Sequence, residues 1–292
     1  MKEAMFYKKL KNKQVQCVLC PRNCIIAEGY VGNCGVRRNT GGTLFSEAYG
    51  RIVSMAVDPI EKKPLLHFHP GSKTLSIATV GCNFHCTFCQ NFDVSQPKKI
   101  DGEKITPKQI VALAKKHSNG VSYTYTEPTV FYEFVLDTAK LAKQEGLYNV
   151  LVTNGYINPE PLKKLAPFID AANVDVKSMK SDFYQMHCKA PSEKPPRETV
   201  ELMHKLGIHV EVTNLVIPKE NDSKEDFHML CAWLAGIDKN IPIHFSRYFP
   251  VYLMNAPPTP LETLALARNI AKEHGIKHIH FGNVDESEMQ LL

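Results

Sequence analysis

The chain has 292 residues, 43% hydrophobic and 22% charged, with 19 prolines, 16 glycines and a formal net charge of +5. This composition suits one large folded domain with a small appendage and excludes disorder, collagen-like repeats and coiled coil. A surplus this mild does not point to nucleic acid. No apolar run approaches the roughly eighteen residues of a membrane-spanning helix, and the lysine-rich Met1–Gln16 lacks the apolar stretch of a secretory signal. The expectation is a cytoplasmic protein with neither a membrane nor a nucleic-acid partner.

In chain order, the first element is a cysteine-rich extension with a hairpin, assigned to residues 1–72. It carries Cys17-x₂-Cys20-x₃-Cys24-x₉-Cys34. An odd total of nine cysteines, with no export signal, argues against a disulfide framework. Four thiolates in so short a window make a closed site. Zinc is the first reading and a second [4Fe–4S] cluster the alternative. Gly42–Met55 alternates like a hairpin, and the proline-rich Asp58–Leu65 reads as loop.

Residues 73–292 form the second unit, where strands and helices alternate. Strands are expected at Thr74–Val80, Gly120–Thr126, Asn149–Thr153, Ala171–Val176, His209–Val216 and Ile241–Arg247. Helices are expected at Pro107–His117, Val130–Glu145, Pro159–Ala166, Glu198–Leu206, Lys224–Ala235 and Pro260–His274. Their starts carry Thr106-Pro107 and Asn158-Pro159, good first-turn signals. Six such units predict an α/β fold with a parallel sheet, an incomplete (β/α)₆ barrel, with Lys277–Phe281 as an extra strand. Chemistry then belongs at the carboxyl ends of the strands. Those ends hold Glu127, Thr153-Asn154, Asp175, Lys177, Asn214 and His244.

The second cysteine group, Cys82-x₃-Cys86-x₂-Cys89, lies just after the first of these strands. Three thiolates on one loop reach one small metal centre, and a [4Fe–4S] cluster held by three would keep one iron free for a ligand. A structural zinc site with its fourth ligand elsewhere is the alternative. His85, inside the triplet, reads as a solvent-side loop residue. Cys188 beside His187 is a weak nucleophile candidate, and Cys231 reads as a buried hydrophobe.

The triplet, its preceding strand and Phe88 before the last cysteine resemble the radical S-adenosylmethionine (SAM) superfamily. Within it the chain resembles the pyruvate formate-lyase activating enzyme group. Glu127 stands at that group's Gly-Gly-Glu motif, with Tyr125-Thr126 in place of the glycines. Val152-Thr153-Asn154-Gly155 stands at its Asp-Thr-Asn-Gly motif. The segments Cys17…Cys34, Asp58-Pro59-Ile60-Glu61-Lys62-Lys63-Pro64-Leu65, Tyr125-Thr126-Glu127-Pro128, Phe245-Ser246-Arg247 and Phe281-Gly282-Asn283 resemble the AmmeMemoRadiSam-system radical SAM proteins.

The resemblance implies a [4Fe–4S] cluster on Cys82, Cys86 and Cys89, and SAM bound near Phe88, Glu127, Thr153, Asn154, Asp175, Lys177 and His244. Glu127 would take the SAM amino group, or else cap the following helix. Lys177 would pair with the SAM carboxylate, or else with Asp175. His244 is a cofactor neighbour or a core histidine. The implied function is an oxygen-sensitive, oxidoreductase-like enzyme that cleaves SAM to methionine and a 5′-deoxyadenosyl radical, which takes hydrogen from a small-molecule or protein substrate. Its electron donor would be of flavodoxin or ferredoxin type. An activase that makes a glycyl radical on a partner protein is the neighbouring reading, and a non-catalytic iron–sulfur or zinc scaffold is the rival from another class.

Overall fold

The structure, a computed structural model, describes residues 1–96 and 99–292. At its centre is a sheet of strands β1 (Ser54–Pro59), β2 (Lys73–Ala78), β3 (Gly120–Tyr123), β4 (Tyr148–Thr153), β5 (Ala171–Asp175), β6 (His209–Val216), β7 (Ile243–Arg247) and β8 (Ile279–Gly282). They lie side by side in that order. β2 to β8 run parallel, and β1 lies antiparallel to β2. Helices α1 (Pro107–His117), α2 (Tyr132–Gln144), α3 (Pro159–Leu165), α4 (Lys194–Lys205), α5 (Lys224–Ile237) and α6 (Leu261–Glu273) alternate with β2 to β8. The strands read as short apolar runs because helices cover one face and the barrel interior the other. β1 and β8 do not pair among the described residues, so the barrel stays open.

Local chemistry sets the helix starts. Thr106 and Gln109 form a reciprocal capping box ahead of α1, and Ser223 and Asp226 another ahead of α5. Two starts differ from expectation. A 3₁₀ turn over Pro128–Phe131 precedes α2, and α4 begins four residues early because Pro195 and Pro196 fit a first helical turn.

Asp58-Pro59 was expected as loop but belongs to β1, so the central sheet extends into residues 54–59. Ile60–Lys62 then form a 3₁₀ turn, and the chain crosses the amino-terminal mouth of the barrel. Ile60 and Leu65 pack on Val150 and Ala171, while Asn173 donates to the Pro64 carbonyl at 2.8 Å. Before β1, two small antiparallel sheets carry the extension. Arg37 anchors them: it is 2% exposed and forks onto Glu133 of α2 at 2.9 and 3.1 Å. Among the described residues no helix is long and apolar enough to cross a membrane.

Candidate active site

The cysteine loop leaves β2 through Gly81, whose φ is +99° and where a Cβ would lie 2.8 Å from the Cys34 carbonyl oxygen. Only glycine permits that close passage. The loop is then held by its neighbours. The amides of His85 and Thr87 donate to the carbonyls of Cys188 and His187 at 3.0 and 2.8 Å, and Arg22 Nε donates to the Asn83 carbonyl at 2.9 Å. His85 is half-buried between Gln96 and the Asn33 carbonyl, not solvent-side. Cys188 is fully buried with its thiol bonded to that of Cys86. Cys231 is core, and all nine cysteines are free.

Cys82, Cys86 and Cys89 open into a cavity of about 440 Å³ at the carboxyl ends of the strands, within the range of small-molecule sites. Phe88, Glu127, Thr153, Asn154, Asp175 and Lys177 line the same cavity. Glu127 is 1% exposed. Its Oε1 accepts from the Thr129 amide (2.9 Å) and the Thr153 hydroxyl (2.8 Å), and its Oε2 from the Asn154 amide (2.9 Å). A carboxylate offers about four acceptor sites, so one remains on the cavity side of this account. Burial pushes its pKa up, against those hydrogen bonds. Lys177 Nζ bonds Asp175 at 3.0 Å and lies 5.6 Å from the Phe88 ring centroid. Burial opposes its charge, yet Asp175 holds the ammonium above the usual lysine range.

His244 is elsewhere. It is the second residue of β7, not its end, and its Nε2 bonds Glu211 at 2.6 Å in the lower half of the barrel. Asn214 donates to the Val176 carbonyl at 2.8 Å and braces the β5 end.

A triad was missed at the cavity wall. Lys63, 1% exposed, contacts Asp58 at 2.8 Å and the Tyr125 hydroxyl at 3.2 Å, and that hydroxyl reaches Asp58 at 2.5 Å. Burial opposes the Asp58 charge, but Lys62, Lys63 and Tyr125 hold its pKa below the carboxylate range. Tyr125 has φ +65°, so the backbone keeps a glycine-like conformation at a cost of about 1–2 kcal/mol, offset by its side-chain bonds. A lysine pair inside a proline-rich run was the only signal in the sequence.

This geometry is that of a metal-cluster loop facing an amino-acid-binding cleft, and the comparisons agree. Residues 76–231, more than half the chain, match the family model for the radical SAM superfamily. The chain belongs to that superfamily. It is 49% identical to an uncharacterised protein of Methanocaldococcus jannaschii over 99% of this chain and 87% of that one. It is 24% identical to the pyruvate formate-lyase-activating enzyme of Clostridium pasteurianum over 59% of this chain and 71% of that one. A radical SAM methyltransferase of Sphaerobacter thermophilus shares the fold, with TM-score 0.58 and 17% identity over 74% of this chain and 68% of that one. The chain is thus a radical SAM enzyme of the activating-enzyme-like group, and its cofactors are a [4Fe–4S] cluster and SAM.

Proposed function

We infer that Cys82, Cys86 and Cys89 hold the [4Fe–4S] cluster and that the cavity beside them binds SAM for reductive cleavage. The observation that carries this is the opening of three thiols from one loop into the same cavity as Glu127, Asp175 and Lys177. The donor set fits: thiolates for iron, a buried carboxylate with one acceptor site left for an ammonium, and a buried lysine for a carboxylate. When bound, the cluster supplies one electron that splits SAM into methionine and a 5′-deoxyadenosyl radical, which abstracts hydrogen from the substrate.

The chain's own residues orient and exclude. Thr153 and Asn154 fix the Glu127 carboxylate from behind, so its remaining acceptor site keeps one direction. Asp175 holds the Lys177 ammonium against Phe88. The Asp58–Lys63–Tyr125 triad closes the wall opposite without leaving an unpaired charge. The test is anaerobic reconstitution with iron and sulfide, then reduction with dithionite in the presence of SAM. Production of 5′-deoxyadenosine and methionine is expected, and their absence from cluster-loaded protein ends this reading.

A protein substrate is the second reading. It is supported by relatives named as activating enzymes and by an apolar rim beside the cluster loop. There Phe92 and Tyr252 stack at 4.5 Å, with Leu253 and Met186 exposed nearby. The electron donor in either case is of flavodoxin or ferredoxin type. A glycyl-radical signal on a partner protein in electron paramagnetic resonance would select the activase; hydrogen loss from a small molecule would select the other.

A further inference from the structure

We propose that Cys17, Cys20, Cys24 and Cys34 hold a second [4Fe–4S] cluster, which relays electrons to the cluster of the Cys82 loop. The relay rests on the radical reading above; the occupancy of the site does not.

Size argues first. A zinc ion draws four thiolates to about 2.3 Å from its centre, too close for a water-sized sphere to sit among them. Here the four cysteines line one enclosed cavity of about 20 Å³, which is the room such a sphere needs. Among the described residues, no three or more His, Cys, Asp or Glu side chains stand at single-ion spacing. The Cys82, Cys86 and Cys89 set shares that wider setting. A cuboidal cluster, whose cysteine sulfurs radiate from its corner irons, wants thiols held apart in this way.

A buried donor argues next. Arg37 lines the same cavity. Its Nη atoms are used by Glu133 and the Met5 carbonyl, but its buried Nε–H has no partner within the protein. A buried N–H left unbonded costs about 1–3 kcal/mol, and sulfur acceptors at a cluster would satisfy it while tuning its potential.

Position supplies the role. Asn83 lines the four-cysteine cavity and the adjacent Cys82 lines the cofactor cavity, so one step of chain, about 3.8 Å between Cα atoms, separates the two walls. Arg22, between Cys20 and Cys24, reaches the Asn83 carbonyl, and Gly81 packs on Cys34 and Val36. A one-electron protein donor would reduce the outer cluster. The same electron would then pass inward, returning the outer cluster to its oxidised form with no bond made and no proton moved.

Metal and sulfide analysis of the anaerobically purified, reconstituted protein decides the occupancy. About eight irons and eight sulfides per chain, without zinc, are expected. Four irons, with or without one zinc, overturn the proposal. The Cys82→Ala/Cys86→Ala/Cys89→Ala variant should keep half the iron and a reducible cluster chromophore; if it is insoluble, the wild-type count still decides. For the relay, dithionite-reduced wild type should show spin–spin broadening that is lost in that variant or in Cys20→Ser/Cys24→Ser. Two non-interacting signals would overturn the relay while leaving the second cluster in place, and neither result depends on 5′-deoxyadenosine being formed.

Discussion

The two ends of the barrel each bury a glutamate, and they treat it in opposite ways. At the carboxyl end, Glu127 is surrounded by neutral donors, with burial raising its pKa. At the amino end, Glu211 is wholly buried but accepts from His209 at 3.0 Å, His244 at 2.6 Å and the amides of Leu66 and His67. Burial opposes its charge, yet these partners hold its pKa well below the carboxylate range. His280, against His244 and His67, is in turn pushed down to about 4 by burial and by those neighbours. The lesson is that equal burial makes a staple where partners saturate the carboxylate and a binding group where one acceptor site is left over.

The comparison can be broken by mutation. The largest effect belongs to the cysteine loop: Cys86→Ala should reduce 5′-deoxyadenosine to background, since two thiolates cannot anchor the cluster; product analysis under single-turnover conditions checks this. Next is Glu211→Gln, which unpairs the histidines and should cost about 3–5 kcal/mol of stability. SAM affinity should be unchanged, as denaturant melts alongside titration calorimetry will reveal. Glu127→Gln should show the converse, with SAM bound roughly tenfold or more weakly, because a charge-assisted hydrogen bond contributes about 1.5–3 kcal/mol. If Glu127→Gln instead lowers stability and leaves SAM affinity alone, the two glutamates are both staples.

The smallest effect sharpens the contrast through pH. A histidine with its folded pKa near 4 takes up a proton more readily when unfolded, near pH 6.5. Stability therefore falls as pH drops from about 6.5 toward 4, and Glu211 adds its own loss only below about pH 4.3. Partial exposure of the cluster screens the size of this slope. Melting temperatures across that window should flatten in His280→Asn, provided that His67, His209, His244 and His278 keep their places. A slope identical to wild type would remove His280 from this account.

Sequence alone was enough for whatever is encoded contiguously. The triplet Cys82–Cys89 sits within one loop, the alternation of apolar strands and capped helices declares the parallel sheet, and Glu127, Thr153 and Asp175 lie at or just beyond strand ends, where topology alone directs them to one rim. Tertiary structure decided the rest, because those arrangements join residues that no spacing relates. The Asp58–Lys63–Tyr125 triad spans β1, a 3₁₀ turn and the loop after β3. The histidines around Glu211 come from the crossing segment, β6, β7 and β8. His244 looked like a rim residue because its strand was expected to begin at Ile241. A strand turns successive side chains to opposite faces and sets depth by position, so being second rather than last in Ile243–Arg247 places it at the far end of the barrel.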